Sequence, residues 1–159
     1  MGWIKNHKPI VIIGIAGVLV ILLVLLGIMW KSGGKGTVSE EETIQCTVTI
    51  SCEEVLDHMG DLKPEKAGLV PEDGILLETT MTVTKGETAF DVLRKACTDA
   101  GIPLDATGGY VKGIQNLYEF DCGSNSGWKY TVNGMFPNYG SNAYVLEEGD
   151  NVLWNFACE

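Results

Sequence analysis

Residues 88–101 read TAFDVLRKACTDAG, and they carry the strongest helix start and stop signals of the chain. Thr88 is suited to the N-cap of a helix, and Asp91, three residues later, can complete a capping box with it. Gly101 is suited to the end of the helix because glycine adopts the left-handed conformation easily. One apolar stripe runs along the helix, formed by Phe90, Leu93 and Cys97. The stretch therefore predicts one amphipathic helix that covers a sheet.

Strand patterns lie on both sides of this helix. Apolar and polar residues alternate from Ile44 to Ser51, and the later segments are rich in β-branched and aromatic residues. The predicted strands span residues 44–51, 75–84, 110–114, 117–120, 128–132 and 151–156. Residues 52–70 predict short helical turns between the first two strands.

Two turn signals connect the last strands. The Asn-Gly pair at residues 133–134 is typical of a two-residue hairpin turn with positive φ angles, and residues 148–150 read Glu-Gly-Asp before the final strand. Two strands, one helix and further strands, with the last returning beside the first, make a β-grasp arrangement, also called a ubiquitin-like roll. We therefore expect an α+β fold of this type over residues 44–158.

An uncharged apolar run occupies residues 10–30. A helix of this length is about 31 Å long, which matches a hydrocarbon core of roughly 30 Å. A cleaved signal peptide is the competing interpretation, but its apolar region is usually only 7–15 residues long. We therefore predict a signal-anchor helix at 10–30, a short cytoplasmic N terminus at 1–9 and a flexible linker at 31–43.

Charge and cysteines are distributed unevenly along the chain. Residues 1–36 carry four lysines and no acid, whereas residues 37–159 carry seven basic and twenty-one acidic side chains. The acidic part is repelled by phosphate backbones, so we expect no nucleic-acid partner. All five cysteines follow the apolar run, which favours an oxidising compartment. We predict a single-pass protein of the cell membrane with its C-terminal domain extracytoplasmic.

The cysteine pairing is open on sequence grounds, because five cysteines permit many combinations. If the first and last strands are parallel, they end near each other at Cys52 and Cys158. We therefore expect this pair to form a disulfide, while Cys97 on the helix stripe is simply buried.

Aromatic and amide side chains concentrate around the predicted hairpin. A flat macrocycle or sugar ring can stack on the aromatic rings, and the amides can bond to its rim. In a domain this small, the strand residues among them can equally belong to the core. The candidate ligand-binding residues are Trp128, Tyr130, Asn133, Phe136, Asn138, Tyr139 and Asn142.

Four segments carry a family resemblance: GWKYTVNG at 127–134, EGDNVLWNF at 148–156, KGETAFDVL at 85–93 and YVKGI at 110–114. Together they resemble the transcobalamin-like C-terminal domain family, in its bacterial stand-alone, membrane-anchored form. In the vitamin carriers of this family the domain closes over cobalamin beside a helical barrel. The resemblance therefore implies a β-grasp domain at the bacterial surface that captures cobalamin, a corrinoid or a related small molecule for an importer.

The sequence bears on two other classes of function. A surface protein-protein interaction or adhesive domain without a small-molecule ligand fits the same exposed aromatics. An enzyme needs a catalytic constellation, but the chain has only two histidines and its adjacent acids lie on strands or in turns. Cys46 and Cys52 are too far apart for a Cys-x-x-Cys motif. We expect no catalysis, no metal site and no cofactor, with cobalamin only as a ligand.

Overall fold

The structure is a computed structural model that describes residues 41–158. The predicted N terminus at 1–9, the predicted anchor at 10–30 and most of the predicted linker at 31–43 lie outside the described residues. Within the described part, no helix is both long and apolar enough to cross a membrane.

The described chain is a mixed α+β fold with two sheets. Its elements are β1 (Thr43–Ser51), α1 (Glu53–Asp57), a 3-10 helix (Pro64–Leu69), β2 (Ile75–Thr84), α2 (Ala89–Ala100), β3 (Leu104–Thr107), β4 (Tyr110–Ile114), β5 (Leu117–Tyr118), β6 (Gly127–Val132) and β7 (Asn151–Ala157). The larger sheet has the order β2-β1-β7-β6, and the smaller sheet has the order β3-β4-β5. β1 and β7 are parallel, which is the arrangement that the expected Cys52–Cys158 pair assumed, and the other neighbours are antiparallel.

Two strands differ from the prediction. β3 was missed because its sequence, Leu-Asp-Ala-Thr, has little strand preference of its own; it forms because Leu104 pairs with Ile114 and Thr107 with Tyr110 across a tight turn. The predicted strand 117–120 has only two residues, since Phe120 has a φ of 67° and cannot continue it.

Helix α2 confirms the prediction from its sequence. The Thr88 side chain accepts a bond from the Asp91 backbone N–H, the Asp91 carboxylate accepts one from the Thr88 backbone N–H, and Gly101 ends the helix with a φ of 67°. Leu93 and Cys97 are fully buried. The helix packs over the face of the larger sheet that carries the alternating apolar residues of β1, which are Ile44, Cys46, Val48 and Ile50.

The disulfide joins Cys122 to Cys158, with a Cα–Cα distance of 5.4 Å. The predicted partner of Cys158 was wrong, because Cys52 is a free, buried thiol. Ser51, the last residue of β1, pairs with Asn155, which is three residues before Cys158. Cys158 therefore lies beyond the end of β1, and the loop after β5 places Cys122 beside it. All three cysteines still share one apolar cluster, in which burial raises the pKa of Cys52 to about 11.

Asp121 fastens the segment beside this disulfide. Its buried carboxylate accepts from Lys63 Nζ at 2.9 Å and from the Tyr118 backbone N–H at 2.8 Å, and Lys66 Nζ lies 3.2 Å away. Burial by itself would raise the pKa of Asp121, but these bonds and charges hold it below its usual value. The carboxylate therefore stabilises the loop only in its ionised form.

Candidate functional site

The candidate site begins at the turn after β6. Asn133 and Gly134 have φ angles of 52° and 76°, and two backbone bonds of 2.9 and 3.0 Å join Val132 and Met135. This confirms the predicted two-residue turn. The Asn133 amide donates to the Asp150 carboxylate at 2.8 Å, and its oxygen accepts from the Asn151 N–H at 3.0 Å. The Asn133 side chain therefore ties this turn to the one before β7.

The loop from Met135 to Glu147 is fastened along its length. Tyr130 donates its hydroxyl to the carbonyl of Tyr139 at 2.8 Å, and Ser141 donates its hydroxyl to the carbonyl of Gly109 at 2.8 Å. Backbone bonds join the loop to the first turn of α2 and to the residues before it, at Ala89, Phe90 and Glu87. The loop is thus held by β6, by α2 and by the turn between β3 and β4.

Four large apolar side chains project from this loop into solvent. They are Met135, Phe136, Tyr139 and Val145, and we call them the loop surface. Between 53 and 71% of each is exposed. Tyr139 stacks on Tyr144 with ring centroids 5.7 Å apart and planes at 14°. The loop surface therefore consists of exposed apolar side chains, aromatic rings among them, on a hydrogen-bonded backbone.

The seven candidate residues divide into two groups. Phe136, Asn138, Tyr139 and Asn142 are exposed on the loop. The other three serve the structure: Asn133 ties two turns, Tyr130 is buried and stacks on Trp154 at 5.3 Å, and Trp128 is half-buried. The Trp128 indole N–H donates to the carbonyl of Leu117 at 2.9 Å, and its ring meets Phe156 edge-on.

Asn142 occupies a narrow space between two glycines. A Cβ atom on Gly109 would lie 2.7 Å from Asn142 Cβ, and one on Gly140 would lie 2.8 Å from its Oδ1. Gly109 has a φ of 87°, which also favours glycine. The missing side chains therefore allow the loop to approach the turn between β3 and β4.

Of a second aromatic surface, the sequence reasoning named only Trp128 as a candidate. An open cleft of about 300 Å³ is lined by Tyr110, Phe120 and Trp128, together with polar residues of the loop after β5. Phe120 is 57% exposed and its backbone is in the left-handed region, an unusual state for a bulky residue. Gly109, which the loop contacts, directly precedes Tyr110. No local sequence signal marks Phe120, because its exposure depends on the left-handed turn of the backbone after β5.

The polar chemistry near these surfaces includes a tyrosine–carboxylate hydrogen bond. No group of three or more His, Cys, Asp or Glu side chains in residues 41–158 could hold a metal ion. The Tyr110 hydroxyl donates to the Glu119 carboxylate, and this bond raises the pKa of Tyr110. The aromatic rings and amides of the loop and the cleft are suited to holding a flat or apolar partner.

Comparison with known proteins supports the fold. Residues 86–157 match a family described as "Domain of unknown function (DUF4430)". No curated protein matches the chain. The crystal structure of haptocorrin in complex with Cbi is similar, with a TM-score of 0.52 and 15% identity over 74% of this chain. The match covers only 26% of the haptocorrin chain.

A second structure is similar over nearly its whole length. It is a protein from Ruminococcus gnavus ATCC 29149 whose description proposes metal binding, and it matches at 10% identity with a TM-score of 0.43. The match covers 73% of this chain and 98% of that one.

The likeness to haptocorrin shows an α+β fold that this chain shares with about a quarter of the haptocorrin chain.

Proposed function

We propose that this chain is a membrane-anchored, extracytoplasmic module of the transcobalamin-like, β-grasp type that binds cobalamin, another corrinoid or a related flat compound. The observation that carries the proposal is the loop surface, where Phe136 and Tyr139 present large rings to solvent from a fastened backbone. Exposed rings on an ordered loop bind at a low entropic cost because little has to be immobilised. The function proposed is capture, without catalysis and without a resident cofactor.

The loop offers two kinds of contact to such a ligand. The rings of Phe136 and Tyr139 can stack on a planar macrocycle, while the exposed amides of Asn138 and Asn142 can bond to polar groups at its rim. The stack of Tyr139 on Tyr144 limits the movement of the Tyr139 ring. Apolar stacking with a few oriented polar groups is the usual composition of a small-molecule site.

The comparison with haptocorrin supports the class of ligand and suggests its affinity. Haptocorrin was solved in complex with Cbi, but this chain matches about a quarter of it. We therefore expect the domain to cover one face of the ligand and to bind it more weakly than a complete carrier would. An importer or another surface protein would cover the other face.

The proposed location rests on the apolar run at 10–30 and on the disulfide. A disulfide persists in an oxidising environment and is rare in the cytosol. Reporter fusions at the C terminus test this location: alkaline phosphatase, which needs disulfides, should be active, and a cytosolic fluorescent reporter should be dark. The reverse pattern would place the domain inside.

Ligand binding is tested by calorimetric titration of the full chain, in detergent micelles, with cobinamide and with cobalamin. We expect saturable binding whose Kd rises about fivefold in Tyr139→Ala or Phe136→Ala, since one stacking contact contributes on the order of 1 kcal/mol. Leu56→Ala is the matched control, because Leu56 is an exposed apolar residue of α1, outside the loop. An unchanged Kd in both loop variants would refute the proposed site.

A protein partner is the second candidate, and one observation favours it. Three open clefts lie elsewhere on the described surface, and none of them is lined by the loop surface. Several exposed apolar side chains on one loop, aliphatic ones such as Met135 and Val145 among them, are typical of protein contacts. No heat with either corrinoid at millimolar concentration would favour this candidate.

A further inference from the structure

One edge of the larger sheet is open among the described residues. β2 stands first in the order β2-β1-β7-β6 and pairs only with β1. The Thr47 N–H donates to Asp150, on the β7 side, so the even-numbered residues of β1 direct their backbone groups at β2. Their partners on β2 are Val83, Met81, Thr79 and Leu77. The backbone N–H and C=O groups of Glu78, Thr80 and Thr82 therefore point away from the sheet.

A groove runs beside this edge, between β2 and α2. Its volume is about 370 Å³. The strand side is formed by residues that include Leu77, Thr79 and Met81, and the helix side by Ala96, Asp99 and Ala100. Small alanines on the helix leave space for side chains that enter from outside. A free strand edge next to an apolar groove is the geometry that accepts an added strand.

β2 lacks the features that usually protect an edge. It is ten residues long, contains no proline, and carries one charge, Glu78. The irregularity in its pairing with β1 lies near its beginning, opposite Ile50 and Ser51. Proteins usually block such edges with lysines, prolines or bulges, because an open edge pairs with other chains. An unprotected edge of this length is therefore a candidate binding surface.

We propose that this edge and groove bind an extended, basic segment of another protein as an additional strand. The charges near the edge select the partner. Glu78 lies on the face of β2 turned away from the groove, where the lysines of an added strand also lie, and it forms no ion pair with a described residue. Asp99, on the helix side of the groove, adds to the negative charge near the edge. Residues 41–158 carry seven basic and nineteen acidic side chains. A second copy of the chain would bring like charges together, whereas a lysine-bearing segment is attracted.

The geometry also sets the sequence of the partner. Alternate side chains of an added strand face the groove, where valine-sized groups fit beside Leu77 and Met81, and the others face away. β2 and β6 are at opposite edges of the sheet, and the loop surface follows β6. The segment and a ligand on the loop surface can therefore bind at the same time.

The test uses the full chain in detergent micelles and the peptide acetyl-Thr-Val-Lys-Val-Lys-Val-Thr-Gly-amide, titrated by calorimetry. Thr80→Pro removes an outward N–H without removing a bond to β1, and Thr80→Ala is its matched control because it keeps the N–H. We expect the wild-type chain to bind the peptide with a Kd below 1 mM. Thr80→Ala should keep this Kd, and Thr80→Pro should raise it at least about tenfold. The same peptide with glutamates in place of lysines should not bind. Circular dichroism establishes that both variants are folded.

Three results would overturn the proposal. Absence of peptide binding at 1 mM is the first. Equal binding by folded Thr80→Pro and Thr80→Ala is the second, because it would indicate general attraction of a cation to an acidic domain. The third is a dimer in sedimentation that Thr80→Pro dissociates, which would assign the edge to a second copy. Corrinoid titration of Thr80→Pro separates this proposal from the loop site, since that binding should be unchanged.

Discussion

Removing the disulfide should destabilise the folded domain more than removing any free cysteine. Cys122 and Cys158 are 36 residues apart in the sequence, and the chain-entropy relation for a loop of this length gives about 4 kcal/mol. The bond acts mainly on the unfolded chain, which gains freedom when the loop is opened. Cys122→Ala, Cys158→Ala and the double variant should therefore all lose about the same free energy of unfolding.

The measurement is urea unfolding of the full chain, followed by tryptophan fluorescence. With a slope of about 2 kcal/mol per M, the midpoint should fall by about 2 M in each variant. Reductant should lower the midpoint of the wild-type chain by a similar amount and leave the variants unchanged. Cys52→Ala is the matched control: it removes a buried sulfur from the same cluster and should cost only about 1 to 2 kcal/mol.

The pattern among the single variants decides whether the reasoning is right. If Cys52→Ala costs as much as Cys158→Ala while Cys122→Ala costs little, Cys158 is paired with Cys52 and the pairing described above is wrong. If reductant has no effect on the wild-type chain, no disulfide contributes to stability. Mass mapping of unreduced peptides gives an independent assignment of the bond.

Three further predictions concern single side chains. Folding lowers the pKa of Asp121, so its stabilising contribution is fully present above about pH 4 and is lost as the pH falls through the folded pKa. Asp121→Asn should therefore lose less free energy of unfolding between pH 6 and pH 3 than the wild-type chain does. Unfolding curves of both chains at the two pH values measure this difference. Thr88→Ala should cost about 1 kcal/mol of unfolding free energy because it removes the N-cap of α2, whereas Thr98→Ala, near the other end, should cost less. Asn133→Ala should lower the free energy of unfolding by about 1 to 3 kcal/mol, since it removes two hydrogen bonds and places alanine at a φ of 52°. Asn133→Gly should lose less, because glycine adopts that φ without strain. Equal losses in the two variants would show that backbone strain contributes nothing.

Local signals in the sequence predicted the secondary structure well where short-range chemistry decides it. The capping box at Thr88 and Asp91 needs only residues three apart, and the turn at Asn133 needs only two neighbours. The alternation from Ile44 to Ser51 correctly identified a strand with one buried face. Such features are local because the bonds that stabilise them join residues a few positions apart.

The candidate site could be predicted only in part. The exposed loop residues Phe136 and Tyr139 were found from their composition and position, but Tyr130 was included although it is buried against Trp154. Phe120 was missed. Whether an aromatic ring faces solvent or the core depends on what the rest of the chain places over it, and a single sequence does not show that.

The sequence alone was sufficient for the α+β class of the fold, for the helix over residues 88–101 and for the turn at Asn133 and Gly134, since alternation, caps and turn residues act over short distances. Three features depend on the tertiary structure: the partner of Cys158, the open edge of β2 and the meeting of the loop with Gly109. Each depends on the relative placement of segments far apart in the chain. The free energy of such contacts comes from burial and geometry in three dimensions, which local residue patterns do not contain.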